Sequence, residues 1–152
     1  MKPITEQWLR AAADDLRVVA RIASDEYLTH MVAFHSQQCV EKSLKALIEE
    51  YELGHIRIRN LGRLFEIVRP KVALEAEVVL IEKLDKLYMD ARYPGELGLL
   101  PDGKPTRADA QQFYDFAKSI YEQVKRILDP GQETAPPPPS DQKQRQGHDA
   151  GP

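Results

Sequence analysis

Phe34-His35-Ser36-Gln37-Gln38-Cys39-Val40-Glu41-Lys42-Ser43-Leu44-Lys45-Ala46-Leu47 is the stretch on which the fold turns. Its spacing predicts a helix over about 28–53, with Val32, Cys39, Val40, Leu44, Leu47, Ile48 and Tyr51 on one apolar stripe. At about 1.5 Å per residue such a helix is nearly 40 Å long, roughly the length of a small domain. Gly54 is expected to stop it. A second face is polar: His35, Gln38, Lys42 and Lys45 recur at steps of three, four and three, flanked by Phe34, Gln37 and Glu41. So many hydrogen-bonding side chains on one helix side either bind a ligand or satisfy one another between helices.

Working outward, every other long segment is also helical in period. Trp8, Ala12, Leu16, Val19 and Ile22 define a first helix over about 5–24. Asn60 is a suitable N-cap for a short helix over 61–68, limited by Pro70. A fourth helix is expected over about 72–92, with Leu74, Val78, Ile81, Leu84 or Asp85, and Tyr88 on one face, ended by Pro94. The segment Gly95 to Pro105 reads as a loop. Thr106 and Asp109 resemble a capping box with Asp in place of Glu, opening a last helix along Ala110, Phe113, Ala117, Ile120, Val124 and Ile127. Ile56 to Arg59 alternates but is too short to compete as a strand. The fold class expected is all-α, an up-and-down bundle of four to five helices.

The chain has 152 residues and a formal net charge of −3, which argues against a surface that coats nucleic acid or an anionic membrane. Its longest uncharged stretch, Tyr27 to Val40, is 14 residues and contains polar side chains, too short for a bilayer. The start lacks an apolar signal region, and the single Cys39 forbids an internal disulfide. A cytoplasmic protein with no membrane association is the expectation. Six of eleven prolines lie at or beyond Pro130, and residues 130–152 hold no large apolar side chain. The expected division is a helical domain over 1–129 and a disordered Pro-rich tail over 130–152. Pro136 to Pro139 suit a polyproline rod for an SH3-like groove, or simply a solvated tail.

Two further groups of residues attract attention. On the fourth helix Asp85, Tyr88 and Arg92 share a face, with Tyr93 beside the last. If the second and fourth helices are neighbours, Asp85 could meet Lys42 and Arg92 could approach Gln38 or His35, giving a cleft for a phosphate and a stacked base. A buried polar network that fixes helix register is the other reading. Between His55 and Lys71 lie five positive charges, including Arg57, Arg59 and Arg63, against one negative. Arginine's planar fork suits phosphate, although a solvated basic loop balanced by Glu49, Glu50 and Glu52 fits as well. No phosphate-loop, dinucleotide or Gly-x-Ser-x-Gly pattern is present. His35 and Cys39 have no second pair to complete a metal site, so neither metal nor cofactor is expected.

The segment Phe34 to Leu47, read with Leu84-Asp85-Lys86-Leu87-Tyr88-Met89-Asp90-Ala91-Arg92-Tyr93-Pro94-Gly95, resembles HEPN domains, the "higher eukaryotes and prokaryotes nucleotide-binding" family. Trp8 with Asp14-Asp15-Leu16, and Ala108-Asp109-Ala110, fit the same order over about 5–129. The resemblance implies a helical bundle that dimerises and that commonly associates with small nucleotidyltransferases in toxin–antitoxin-like modules. Many HEPN proteins are metal-independent ribonucleases using an Arg followed, after four to six intervening residues, by a His. None of His30, His35, His55 and His148 has an Arg at that distance before it. The reading adopted is a non-catalytic or weakly catalytic HEPN module that binds nucleotide or RNA phosphates and partners a nucleotidyltransferase. The family name implies the nucleotide, and the two polar rows supply the expected positions His35, Gln38, Lys42, Lys45, Asp85, Tyr88, Arg92 and Tyr93. An altered ribonuclease toxin pairing His35 with Arg92, and a non-catalytic dimerisation scaffold, remain open beside it.

Overall fold

The structure, a computed structural model, describes residues 1–54, 57–92 and 103–131, with the backbone alone at 90–92. Its helices are α1 (Pro3–Ile22), α2 (Thr29–Tyr51), α3 (Leu61–Val68), α4 (Val78–Arg92) and α5 (Arg107–Leu128). There is no strand among the described residues. From residue 132 on, the expected tail lies outside them, as does most of the loop expected over 95–105.

α2 is the axis of the bundle and packs against the other four helices. Fourteen of its 23 residues are buried, so the single apolar stripe read from its spacing understates how much of it is enclosed. Ser36, Gln37, Glu41, Ser43 and Lys45 are inside alongside Val40, Leu44 and Leu47. Since a polar group taken from water must find a partner, the bundle needs a network on this helix.

α1 runs antiparallel to α2. Pro3 opens it, and Lys2 ties its start to the far end of α2 through its backbone N–H on Glu50 Oε2 at 2.9 Å and its Nζ on Glu49 O at 3.1 Å. Leu9, Ala12 and Val19 then face the core. α2 ends at Tyr51, before the expected glycine, because Glu52 turns left-handed with φ 54° and Leu53 N–H closes onto Ile48 O.

α4 begins at Val78 rather than near residue 72. Val72, Leu74 and Ala76 are half-buried while Ala73, Glu75 and Glu77 are exposed, a period of two that belongs to extended chain. The Gln123 side chain on α5 holds this strap, accepting from Glu75 N–H and donating to Glu75 O, each at 2.9 Å. The remaining caps follow the sequence. Asn60 Oδ1 accepts from Arg63 N–H at 3.0 Å, and Thr106 and Asp109 exchange both capping-box bonds.

Candidate functional site

The antiparallel α1–α2 pair brings one carboxylate to an imidazole and an ammonium of the polar row. Asp15 is buried, 8 % exposed, within the apolar side of α1. Its Oδ1 stands 2.9 Å from His35 Nδ1, and its Oδ2 accepts from Lys42 Nζ at 2.6 Å. His35 and Lys42 are seven residues apart, two turns along one helix face, and the two oxygens of Asp15 span the interval. Both partners stay about one quarter exposed, so the cluster opens to solvent on the side away from Asp15. Cys39 lies between them in sequence but points inward; burial, helped by Asp15, pushes its thiol up to about 12. It is neither nucleophile nor ligand in that form.

His35 continues into an aromatic pair. The Phe34 ring stands edge-on to His35 at 5.2 Å and stacks on Tyr88 of α4 at 5.4 Å with 23° between planes. Tyr88 is thus joined to the His35 side of α2 through Phe34, with its ring mostly buried. The arrangement offers a flat apolar surface, an imidazole and an ammonium in one line, the elements of base stacking and phosphate pairing.

Gln38 and Lys45, the other members of the row, turn away into a separate network. Gln38 Nε2 donates to Gln37 Oε1 at 2.8 Å and Glu41 Oε2 at 3.3 Å, while Gln37 Nε2 donates to Arg59 O at 3.1 Å. Lys45 Nζ is 3.4 Å from Glu41 Oε1 and lies over the Trp8 ring, with both charged side chains under 8 % exposed. Burial holds the Glu41 carboxyl above its ordinary value against the pull of Lys45. Lys45 belongs to the interior, apart from the His35–Lys42 pair.

Asp85 does not meet Lys42. Its Oδ1 accepts from Leu61 N–H at 2.8 Å and its Oδ2 from Gly62 N–H at 3.1 Å, so it caps the first turn of α3 and pins α4 to it. Desolvation raises its carboxyl above the ordinary value, opposed by those two bonds. Asp85→Ala leaves both N–H groups unpaired and is expected to cost about 1–2 kcal/mol in urea unfolding.

Arg57, Arg59 and Arg63 are exposed; the Arg59 carbonyl is tied to α2 through Gln37, and the Arg59 charge acts on Glu41 of the same helix. The Arg92 side chain and Tyr93 lie outside the described residues, as does any approach of Arg92 to His35 or Gln38. Among the described residues no group of three His, Cys, Asp or Glu side chains is placed to hold a metal ion, and no helix is long and apolar enough to cross a membrane. Asp15 is the site residue that the row on α2 did not reveal. Its signal was its position, between Ala12 and Val19 on the apolar stripe of α1.

The family model described as "HEPN domain" matches residues 5–127. No curated protein matches the chain. A crystal structure of an archaeal HEPN homologue is similar to the chain with a TM-score of 0.61 and 27% identity, over 84% of this chain and 99% of that one. The five helices, their order and the match across nearly the whole described bundle place this chain in the HEPN family.

Proposed function

We propose that this HEPN domain binds nucleotide or RNA phosphates on the His35–Lys42 side of α2 and works beside a small nucleotidyltransferase rather than as a ribonuclease. The observation that carries this reading is the continuity of the site. A stacked Phe34–Tyr88 pair touches His35, and His35 and Lys42 share the Asp15 carboxylate. Phosphate fits beside Lys42, and a base fits against the Phe34 edge of the ring pair. The partner and a homodimer are supported by Val78, Val79 and Met89, which leave α4 with apolar side chains 55–61 % exposed.

Calorimetric titration with AMP tests the binding reading. Lys42→Ala should weaken AMP binding about tenfold, the worth of one charge-assisted phosphate contact. Lys42→Met should recover the packing of the stem without recovering the affinity. A Lys42→Met protein that binds AMP like the wild type would move the phosphate elsewhere.

Catalysis is the second arm. A metal-independent ribonuclease needs a base near the 2′-hydroxyl and a cation for the charged phosphorane. The chain lacks the Arg–His spacing that supplies both from one helix. Single-stranded RNA incubated with stoichiometric protein in chelator is expected to remain intact on a gel. Cleavage that survives chelation and disappears in both His35→Ala and Arg92→Ala would instead establish the altered ribonuclease.

A further inference from the structure

We infer that Asp15 is a positioning residue that fixes the tautomer of His35, so that the site takes a hydrogen-bond donor of the nucleotide at the imidazole and its phosphate at Lys42. Asp15 Oδ2 accepts from the Lys42 ammonium, and Asp15 Oδ1 lies 2.9 Å from His35 Nδ1. A carboxylate paired to an ammonium is an acceptor only, so the hydrogen between Asp15 and His35 must reside on Nδ1. Whenever the ring carries a single hydrogen, Nε2 then presents a lone pair.

That lone pair changes what the site recognises. A phosphate oxygen is also an acceptor, and it is repelled by an Nε2 lone pair while it is attracted by Lys42. The group that fits Nε2 is an N–H or O–H. In AMP these are the exocyclic amine of the base and the 2′- and 3′-hydroxyls of the ribose. The edge-on contact of His35 with Phe34 adds a second constraint on the ring plane, so the imidazole cannot turn freely to offer its other nitrogen. Nothing on α2 alone carries this information; it comes from Asp15 across the α1–α2 interface.

The ligand part of this inference rests on the nucleotide reading, whereas the tautomer part does not. Two-bond ¹H–¹⁵N spectra of the full chain, with His35 assigned by its disappearance in His35→Gln, report which ring nitrogen is protonated. The Nδ1–H tautomer is expected in the wild-type protein, and an Nε2–H tautomer overturns the inference without any variant. In Asp15→Asn, checked for folding by circular dichroism, the ring should lose that preference. Calorimetry then compares AMP with 2′-deoxy-AMP, 3′-deoxy-AMP and purine riboside 5′-monophosphate, which lacks the exocyclic amine and gains no ring N–H. Weaker binding of either deoxynucleotide by about three- to tenfold identifies that ribose hydroxyl as the donor, and weaker binding of the purine riboside nucleotide identifies the base amine. The difference should vanish in Asp15→Asn. Equal binding of all four nucleotides by the wild type overturns the donor assignment. Failure of AMP to bind at all overturns the nucleotide reading itself, and the spectra still decide the role of Asp15.

Discussion

Lys45→Ala is expected to destabilise the protein by about 3–5 kcal/mol, because it leaves the Glu41 carboxylate buried without its ammonium. Glu41 and Lys45 are both within the core, and the Lys45 stem also covers the Trp8 ring, so packing is lost together with charge. For a domain of this size that corresponds to a fall in Tm on the order of 10–15 °C. The double variant Glu41→Leu, Lys45→Met removes both charges while keeping their volume, and should return to within about 1 kcal/mol of the wild type or exceed it. AMP affinity measured below the melting range should be unchanged in the double variant, since neither side chain belongs to the His35–Lys42 cluster. An affinity loss there would return Lys45 to the binding row.

The same pair gives a pH dependence with a definite sign. Burial raises the folded-state pKa of Glu41 above its ordinary 4.5. Between the two values the folded protein holds more protons than the unfolded chain, so stability falls as pH climbs through that window. Asp85 is raised in the same direction and adds to the slope. Urea unfolding from pH 4 upward should show a shallower decline in the double variant than in the wild type, with the Asp85 part remaining. Equal slopes would mean that Glu41 titrates alike in both states.

The bundle was legible where sequence and solvent agree on a period. The α5 capping box at Thr106 and Asp109, the Asn60 cap and the α1 stripe appear where local chemistry placed them. The start of α4 was not legible, because Val72-Ala73-Leu74-Glu75-Ala76-Glu77 contains good helix formers, and it is held extended by Gln123, distant in sequence, and by the packing of Val72, Leu74 and Ala76 against the core. The division of the polar row was hidden for a related reason. On an isolated helix His35, Gln38, Lys42 and Lys45 are equivalent, and what separates them is the surroundings of α2. Asp15 meets His35 and Lys42 at the solvent side, whereas Glu41 and Trp8 enclose Lys45. The conditional pairing of Asp85 with Lys42 considered charge alone, whereas the first turn of α3 offers Asp85 two N–H groups that need an acceptor.

Asp15→Ala should separate stability from anion affinity, moving them in opposite directions. Removing the carboxylate strands Lys42 and His35, and because both are about a quarter exposed, water recovers part of the loss. A cost of about 2–3 kcal/mol is expected, less than a fully buried pair would give. The same change deletes the carboxylate in contact with the Lys42 ammonium. A unit charge at hydrogen-bond range opposes a bound anion by an amount on the order of 1–4 kcal/mol between water-like and protein-surface dielectrics. Inorganic phosphate should therefore bind severalfold more tightly to Asp15→Ala than to the wild type at low salt, with the gain shrinking as added salt screens Lys42. Nucleotide discrimination should decline in the same protein, because the ring that reads the donor is no longer held. Phosphate titrations followed by ³¹P line shape at two ionic strengths, beside urea unfolding, give all the quantities needed. If phosphate affinity falls with stability instead, Lys42 depends on Asp15 for its place more than it is neutralised by it, and the carboxylate is part of the scaffold rather than a counter-charge to the ligand.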